Sequence, residues 1–405
     1  MADRAFDFVC IGSATQDVFV SCDTAKLLTL SDIRDERRLL CFDYGGKVGV
    51  EHIEFTTGGG ATNTAVSLAR LGARIAFIGK VGTDPVARLV LEELAQAGVD
   101  TSRHLTSDDE STGYSVILTS FEGDRTVLVY RGANESMTLD AVDLPVIDRT
   151  RWLYVTSLSG ESAGLLGPLA ERASAAGVKI AFNPGSTQLR AGLDALRPAL
   201  EATTVLLVNK EEAAQLTGKE PVKDVIIQSR CTLCGDCIEV CPAGVFSRHH
   251  NRILAAPHLC SRCGRCVPAC PADAIAMEPW SFNVAEAFDV LYQAGPDVVV
   301  ITDGERGVQA YDGQTLYALP ARDVPVASSL GAGDAFGSAF AFEYARSGDI
   351  GRALALGVAN SARVVQTIGA KNGLLTADQA ERELAEFDES AVRRYPFADV
   401  LDSAK

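Results

Sequence analysis

The chain has 405 residues, of which 47% are hydrophobic and 22% charged, enough for roughly two or three domains with a large buried core. Its 37 basic and 53 acidic residues give a net charge of −16, which argues against binding to nucleic acid or to an anionic membrane surface. The sequence has no apolar run of about 18 residues, and its N-terminus, MADRAFDFVCIG, lacks the apolar core of a signal peptide. We therefore expect a cytoplasmic protein that does not span a membrane.

Short apolar runs alternate with helical stretches along most of the chain. The pattern predicts, in chain order, a strand at 6–12, a helix at 63–71, a strand at 75–79, a helix at 85–97, a strand at 152–155, a helix at 162–176, and strands at 179–183, 205–209 and 298–301. Such alternation is typical of a mostly parallel sheet with helices on both faces. The strands VLLV and VVVI lack polar residues, as expected for strands buried on both sides. The sequence therefore predicts an α/β fold.

Two regions depart from this pattern. Between residues 12 and 58, and from 114 to 130, apolar and polar residues alternate, as in YSVILTS and RTVLVY. This alternation predicts half-exposed antiparallel strands in a small sheet that caps the main one. The second departure is residues 226–279, after which the regular pattern resumes. We interpret this segment as an insertion into the α/β domain.

The insertion contains eight of the chain's 11 cysteines, in two copies of C-x2-C-x2-C-x3-C followed by proline. In this spacing, three thiolates on one loop bind three corners of an iron–sulfur cubane, and the fourth reaches the other cluster. Cluster one would use Cys231, Cys234, Cys237 and Cys270, and cluster two would use Cys260, Cys263, Cys266 and Cys241. Structural zinc is the alternative, but it does not need four cysteines per half with a proline after the fourth. The segment closely resembles a bacterial two-cluster [4Fe–4S] ferredoxin.

The most specific motif outside the insertion is SSLGAGDAFGSAFAF, residues 328–342. Gly331, Ala332 and Gly333 lead directly into an apolar helix, where free backbone N–H groups and the helix dipole favour an anion. Asp334 in the first turn could be a simple helix cap. A cap alone does not explain three consecutive small residues, which suggest that a ligand approaches the backbone closely.

Other glycines and polar residues follow predicted strands, where ligands of α/β folds bind, or, in GGGATN, precede a predicted helix. They are Asp17 in IGSATQD, Gly58, Gly59 and Asn63 in GGGATN, Asn209 and Glu212 in NKEE, and Thr302, Gly304 and Gly307 in ITDGERGV. A carboxylate at Asp17 suits vicinal hydroxyls, and the N-x-x-E spacing suits hydrated Mg²⁺. Taken singly, Glu212 could equally be an ordinary first-turn acid, and TDGERG an ordinary turn.

Together, and in this order, these motifs resemble the ribokinase-like (PfkB-type) carbohydrate kinases over nearly all of 1–225 and 280–405. The resemblance implies a three-layer sandwich with a small β cap, whose strands lie within about 13–57 and 112–132, interrupted by a ferredoxin-like α+β insert at 226–279. It implies an ATP-dependent phosphotransferase that phosphorylates a hydroxyl of a sugar. A nucleoside is the alternative acceptor, because both would bind through hydroxyls to the same residues.

The resemblance also implies a role for each candidate residue. Asp334 would be the catalytic base, and Gly331, Ala332 and Gly333 would form the anion hole for the transferring phosphoryl group. Asn209 and Glu212 would organise Mg²⁺ and phosphates, while Thr302, Gly304, Gly307 and Asn360 would line the ATP site. Asp17, Gly58, Gly59 and Asn63 would hold the sugar, with Lys47 and Arg131 contributed by the cap. Arg131 could instead be an exposed arginine at a strand end.

One position departs from the family pattern. Ser328 and Ser329 stand where relatives commonly have Asp-Thr, and that aspartate helps to form a monovalent-cation site in potassium-activated members. Its absence argues against K⁺ activation but leaves Asp334 and the backbone amides in place. The family also makes a homodimer through the cap plausible.

The role of the insert stays open between two classes. In the first, an active kinase carries the clusters for redox sensing or for docking to a redox protein. In the second, the chain is an electron-transfer protein on an inactive kinase scaffold. Because no G-x-G-x-x-G follows a strand, electrons would then come from a separate protein.

Overall fold

The computed structural model describes residues 4–21, 26–31, 36–119, 125–218, 230–242, 245–249, 252–255, 265–275 and 284–398. Within these ranges the strands are, in chain order, β1 (Phe6–Ile11), β2 (Thr15–Ser21), β3 (Lys26–Ser31), β4 (Glu36–Cys41), β5 (His52–Gly58), β6 (Ile75–Ile78), β7 (Lys80–Val81), β8 (Leu105–Thr106), β9 (Gly113–Thr119), β10 (Arg125–Tyr130), β11 (Thr150–Val155), β12 (Lys179–Phe182), β13 (Val205–Asn209), β14 (Phe246–His249), β15 (Arg252–Ala255), β16 (Val298–Thr302), β17 (Val308–Tyr311), β18 (Thr315–Leu319) and β19 (Arg393–Pro396). The α-helices of the same ranges are α1 (Gly60–Arg70), α2 (Pro85–Gln96), α3 (Pro145–Asp148), α4 (Leu166–Ala175), α5 (Ser186–Ala191), α6 (Leu193–Leu200), α7 (Lys210–Leu216), α8 (Asp236–Val240), α9 (Cys266–Ala269), α10 (Val284–Gln293), α11 (Ala332–Ser347), α12 (Ile350–Val364) and α13 (Ala377–Ala385).

The body of the chain, meaning the residues outside 226–279, is built around one large sheet. In the described residues this sheet has nine strands, in the order β19-β18-β17-β16-β13-β12-β11-β1-β6. The six strands from β16 to β6 pair in parallel. Successive residues of β1 enter two different hydrophobic clusters, Cys10 on one face and Ile11 on the other. Burial of both faces explains why these strands lack polar alternation, and the predicted α/β fold is confirmed.

Three antiparallel strands extend one side of the sheet. β17 pairs with β16, β18 with β17, and β19 with β18. The sequence did not predict these strands, because VQAY, TLYAL and RRYP are short and mix apolar with polar residues. β16, β17 and β18 follow one another directly along the chain, whereas β19 pairs with β18 from a distant segment near residue 395.

The cap is a four-stranded sheet in the order β10-β9-β2-β5. β2 pairs antiparallel with β5, and β9 pairs antiparallel with β10, as the alternating pattern predicts. The central pair, β2 and β9, is parallel, so the prediction of antiparallel strands was wrong for this pair. The strands come from two separate segments, and side-chain alternation does not specify the direction in which such segments pair.

Two helices differ from their predicted bounds. α1 begins at Gly60 rather than at residue 63, because Gly59 takes a φ of 99° and its carbonyl accepts the first helical bond from Asn63 N–H. The predicted helix at 162–176 divides into a 3₁₀ turn, Gly160–Leu165, and α4. Ser162 explains this division, since its hydroxyl bonds the Asn134 carbonyl at 2.8 Å and thereby fastens the turn to a neighbouring loop. None of the helices in the described ranges has the length and apolar character needed to cross a membrane.

The insert has a small core of its own. Its described part contains α8, α9 and the antiparallel hairpin β14–β15, and α8 contacts both α9 and β14. Its buried residues are Cys237, Val245, Phe246, Ile253, Cys266 and Ile275. Two of these are cysteines of the repeated motif. Cys260 and Cys263 lie outside the described residues.

Candidate active site

The first turn of α11 forms the centre of the site. Gly331 precedes the helix with a φ of 78°, and a Cβ at this position would lie 2.3 Å from the Cβ of Ala370. Only glycine satisfies both conditions. The first N–H groups of an α-helix have no partner within the helix, and Gly333, in this turn, is exposed. The turn can therefore present Gly331 and Gly333 to an anion, while Ala332 N–H donates to the Ser329 carbonyl at 3.4 Å.

Asp334 lies in this first turn, and its side chain is fixed by α1. Asn63 Nδ2 donates a hydrogen bond of 2.8 Å to Asp334 Oδ2. Burial raises the pKa of Asp334 to about 6, the Asn63 hydrogen bond lowers it, the Asp17 charge raises it and the Lys371 charge lowers it. The carboxylate is thus ionised at neutral pH and still close to the pKa range in which a general base operates.

Asp17 lies on β2 and is almost fully buried. Thr15 Oγ1 donates to its Oδ1 at 3.0 Å, and Ser115 also bonds the carboxylate. Burial raises the pKa of Asp17, while these two hydrogen bonds and the Lys371 charge lower it. A Cβ on Gly58 would lie 2.0 Å from Asp17 Oδ2, so Gly58 is a glycine because the carboxylate occupies the space of a side chain. The structure thus brings Asp17, Gly58 and the α1 start together.

Asn63 provides an acceptor that the described residues leave unused. Its Oδ1 is buried and has no hydrogen-bond partner in the described part of the chain. Buried polar atoms are nearly always paired. A hydroxyl of a bound substrate, next to Asp334, would satisfy this oxygen.

The nucleotide-side candidates meet at the carboxyl ends of two neighbouring strands. Asn209 ends β13 and pairs in register with Thr302 at the end of β16. Asn209 Oδ1 accepts from Glu212 N–H at 2.8 Å, and Glu212 Oε2 accepts from Asn209 N–H at 2.8 Å. This reciprocal cap accounts for the N-x-x-E spacing as helix structure. Burial raises the pKa of Glu212, and the charges of Asp334 and Glu211 raise it further.

The TDGERG turn follows β16. Gly304 has a φ of 56° and Gly307 a φ of 100°, and a Cβ on Gly307 would lie 2.2 Å from the Leu319 carbonyl oxygen. Both glycines are therefore required by the backbone. Asp303 in this turn forms ion pairs with Lys210, at 3.5 Å, and with Arg306. The turn is held in one conformation beside Asn209.

Two predicted residues, Lys47 and Arg131, lie apart from this network. Lys47 is exposed in the loop between β4 and β5. Arg131 is half-buried and lies 3.7 Å from Glu135 and 3.2 Å from the Ser186 hydroxyl.

Asn360 requires a correction. Its side chain has no exposed surface, and its amide donates to Ser67 Oγ at 3.1 Å and to the Ala335 carbonyl at 2.8 Å. Its Oδ1 accepts from Leu375 N–H at 2.9 Å. The prediction that this side chain lines the ATP site conflicts with its burial in the interior, where it fastens α12 to the first turns of α11.

Lys371 is a residue of this region that the sequence did not reveal. It follows α12 in GAKNG, where no periodicity or motif marks it, and its charge lowers the pKa of both Asp17 and Asp334. The short glycine-rich segment around a single lysine was the available signal.

The insert brings its first cysteine set together. Cys231, Cys234, Cys237 and Cys270, the residues predicted to bind cluster one, line one small pocket, although in the described part of the chain no three of the His, Cys, Asp and Glu side chains are arranged to hold a metal ion. Val245 N–H points to Cys241 Sγ at 3.4 Å and Ala274 N–H to Cys270 Sγ at 3.3 Å, so the two repeats share an N–H···S contact four residues after their last cysteine. Burial raises the pKa of Cys237, and thiolate charges at Cys231 and Cys234 raise it further.

Comparison with known proteins identifies the family. The model of the pfkB family carbohydrate kinases matches residues 27–229 and 273–377. The chain belongs to this family. A 4Fe-4S dicluster domain matches residues 230–275, within the kinase match. The predicted kinase with an inserted cluster domain is confirmed, and the chain is a phosphotransferase of the pfkB family.

Individual relatives agree with this assignment. An uncharacterized sugar kinase of Archaeoglobus fulgidus is 22% identical over 309 residues, which are 76% of this chain and 98% of that protein. An ATP-dependent ribose-1-phosphate kinase of Halopiger xanaduensis is 25% identical over 341 residues, which are 84% of this chain and 90% of that protein. The structure of Arabidopsis thaliana ribokinase complexed with ribose and ATP has a TM-score of 0.65 at 19% identity, covering 95% of this chain and 100% of that one. This last likeness shows the fold.

Proposed function

We propose that this pfkB kinase transfers the γ-phosphoryl group of ATP to a hydroxyl of a sugar, with Asp334 as the base. One observation carries the proposal: Asp334, hydrogen-bonded by Asn63, lies in the first turn of a helix that begins with 331–333. A base and an anion-binding backbone thereby adjoin each other, as phosphoryl transfer requires.

The proposed reaction is a direct displacement. Asp334 accepts the proton of the substrate hydroxyl as that oxygen bonds to the γ-phosphorus and the bond to the leaving ADP oxygen breaks. The N–H groups of 331–333 stabilise the negative charge on the transferring group, and the α11 dipole adds to this effect. With a pKa of about 6, Asp334 is ionised at pH 7 and ready to accept the proton.

On the nucleotide side, Asn209 and Glu212 would hold hydrated Mg²⁺ and the phosphates. Glu212 is a carboxylate with one oxygen, Oε2, engaged in the helix cap, and carboxylates with retained waters are the usual Mg²⁺ environment. Bound Mg²⁺ would neutralise phosphate charge. Thr302, Gly304 and Gly307 line the adjacent turn, which we assign to ATP.

On the acceptor side, Asp17 and Asn63 would bind the sugar hydroxyls, and Gly58 and Gly59 would let the sugar approach the backbone. The unpaired Asn63 Oδ1 supports a hydroxyl-bearing ligand at this point. A nucleoside would present the same hydroxyls and is the alternative acceptor. Lys47 and Arg131 remain weaker candidates from the cap. Ser328 and Ser329 lack a carboxylate, so we expect no requirement for K⁺.

We assign residues 226–279 to a two-cluster [4Fe–4S] insert and 1–225 with 280–405 to the kinase domain. The convergence of four cysteines on one pocket supports cluster one. We propose that the clusters serve redox sensing or docking to a redox protein, in the reducing cytoplasm. The alternative is electron transfer on an inactive scaffold.

The cap also supports a homodimer. Phe55 on β5 and Leu128 on β10 are each 56% exposed, and Ile53 is exposed beside Phe55 on the same face of the cap sheet. Exposed apolar side chains on a sheet favour a partner. Light scattering at several concentrations would give the mass of a dimer, whereas a concentration-independent monomer would contradict this part.

The proposal is tested with anaerobically purified protein. ATP-dependent phosphorylation is measured across a panel of sugars and nucleosides, for the wild type and for Asp334→Asn. Equal turnover by both proteins would contradict the proposal that this site is a kinase active site. A brown protein with about eight irons per chain would support the insert. A phosphorylation rate that differs between cluster-loaded and cluster-free protein would support redox sensing. Identical rates would leave docking to a redox protein as the proposed role of the clusters.

A further inference from the structure

Lys371 is a nearly buried lysine beside the proposed active site. Its side chain is 7% exposed, and its Nζ donates to Glu93 Oε2 at 2.5 Å and to Thr57 Oγ1 at 2.6 Å. The Thr57 hydroxyl also bonds Glu93. A buried ammonium is costly unless it is paired and hydrogen-bonded, and these three residues meet that condition.

The three residues connect elements that carry the site. Thr57 lies on β5 directly before Gly58, and Glu93 lies on α2. The neighbours of Lys371 fit closely: a Cβ on Gly331 would lie 2.3 Å from that of Ala370, and a Cβ on Gly369 would lie 3.2 Å from Thr56 Cγ2. Residues 369–371 thus sit between the anion-hole turn and the cap strand.

The positive charge of Lys371 acts on two carboxylates, those of Asp17 and Asp334. Burial raises the pKa of Asp17 and of Asp334, the Asp17 charge raises that of Asp334, and Lys371 lowers both. Burial lowers the pKa of Lys371 itself, while Glu93 and the two aspartates raise it. Two close carboxylates without a cation would tend to share a proton.

The other groups that face Asp334 are few. Glu212 on α7 is an acid whose pKa is raised by burial and by the Asp334 charge. Tyr154 on β11 has a pKa raised by burial and then by the same charge. Asn63 on α1 is neutral. Of these groups in the described residues, Lys371 is the cation.

We propose that Lys371 is a positioning residue of the kinase site: held by Glu93 and Thr57, it fixes residues 369–371 between the anion-hole turn and β5, and its charge balances Asp17 and Asp334. The inference rests on the proposed role of Asp334 as base. The competing explanation is that Lys371 and Glu93 form an ion pair with a structural role alone. The presence of the pair does not decide between the two explanations, because a buried salt bridge is weak evidence for stability.

The test compares the pH dependence of kcat/KM for wild type, Lys371→Met, Lys371→Arg and Glu93→Gln. Loss of the ammonium in Lys371→Met should move the acid limb about one pH unit higher, because Asp334 then holds its proton more tightly. Glu93→Gln leaves the ammonium uncompensated and should move the limb lower. Lys371→Arg, which keeps the charge, should stay close to the wild type.

Opposite shifts of the acid limb in Lys371→Met and Glu93→Gln distinguish the positioning role from a purely structural ion pair. A structural ion pair would lower kcat and the melting temperature in Lys371→Met and Glu93→Gln without moving the acid limb, and that result would overturn the inference. Glu93→Gln keeps the test valid if Lys371→Met does not fold. Failure of the proposed function looks different, because Asp334→Asn would then keep its activity whatever the Lys371 variants do.

Discussion

The kinase body and the cluster insert build their sites in different ways. In the body, two extensive hydrophobic clusters cover a nine-stranded sheet, and Asp17, Asn63 and Asp334 are held by side chains and backbone of the protein itself. In the insert, the small core includes Cys237 and Cys266, which are also predicted cluster ligands. Bound clusters would therefore complete the interior of the insert, whereas the two hydrophobic clusters of the body contain none of the predicted cluster ligands.

This difference predicts separable functions. Changes at Asp334 should affect phosphoryl transfer and leave iron in place, while changes at the cysteines should remove iron and leave the body folded. Metal binding and folding are coupled in small domains, but a large core does not depend on such help.

The largest expected effect is on catalysis. Asp334→Asn should lower kcat by about 10²- to 10⁴-fold, because the base is lost while the shape of the side chain is kept. Steady-state phosphorylation assays measure this, with iron content determined on the same samples. A variant that loses both activity and iron would contradict the separation of the two regions.

Next in size is the loss of one cluster. Cys270→Ser should reduce the iron content from about eight to about four per chain, because Cys270 belongs to the set around one pocket. Cys41→Ser is the matched control, since Cys41 lies outside the insert, and should leave the iron unchanged. Iron analysis with visible absorption distinguishes these outcomes. Retention of all iron in Cys270→Ser would refute the proposed ligand set.

A smaller effect is expected on the stability of the body. Gly331→Ala should destabilise the body by about 1–3 kcal/mol, because φ is positive and the new methyl group would meet Ala370. Gly333→Ala is the matched control for stability, since no atom lies within 4 Å of its added Cβ. Chemical denaturation of the two variants compares them. Equal stabilities would show that the turn before α11 is less constrained than described.

The smallest effect concerns the charge of Asp334. Its folded-state pKa of about 6 exceeds the usual 3.8, so ionisation of this carboxyl group destabilises the folded state. The destabilisation is complete above pH 6 and absent below about pH 3.8. Asp334→Asn should therefore be more stable by about 1–2 kcal/mol at pH 8, with the gain lost toward pH 4. Asp109→Asn, at an exposed position, is the control. Melting temperatures of the variants are measured across this pH range. A gain in the stability of Asp334→Asn that does not depend on pH would contradict the account.

The sequence predicted what depends on local pattern. The cysteine spacing predicted the cluster domain, which the family match confirms, and GAGD located Asp334 at the start of an apolar helix, because both signals lie within a few residues. The parallel strands of the body were recognisable from their apolar runs.

Features that depend on distant partners were missed or misjudged. The parallel pairing of β2 with β9 joins segments almost 100 residues apart. Asn360 has the polarity of a ligand-binding residue, yet its partners Ser67, Ala335 and Leu375 bury it. Lys371 is held by Thr57 and Glu93, which precede it by 314 and 278 residues.

The pH dependence of kcat/KM for the cluster-loaded wild type tests the central claim most directly. With Asp334 as base, kcat/KM should fall about tenfold per pH unit below a midpoint near pH 6, as the carboxylate becomes protonated. The residual activity of Asp334→Asn should lack this limb. A wild-type profile that stays flat through pH 6, or the same limb in Asp334→Asn, would contradict the account.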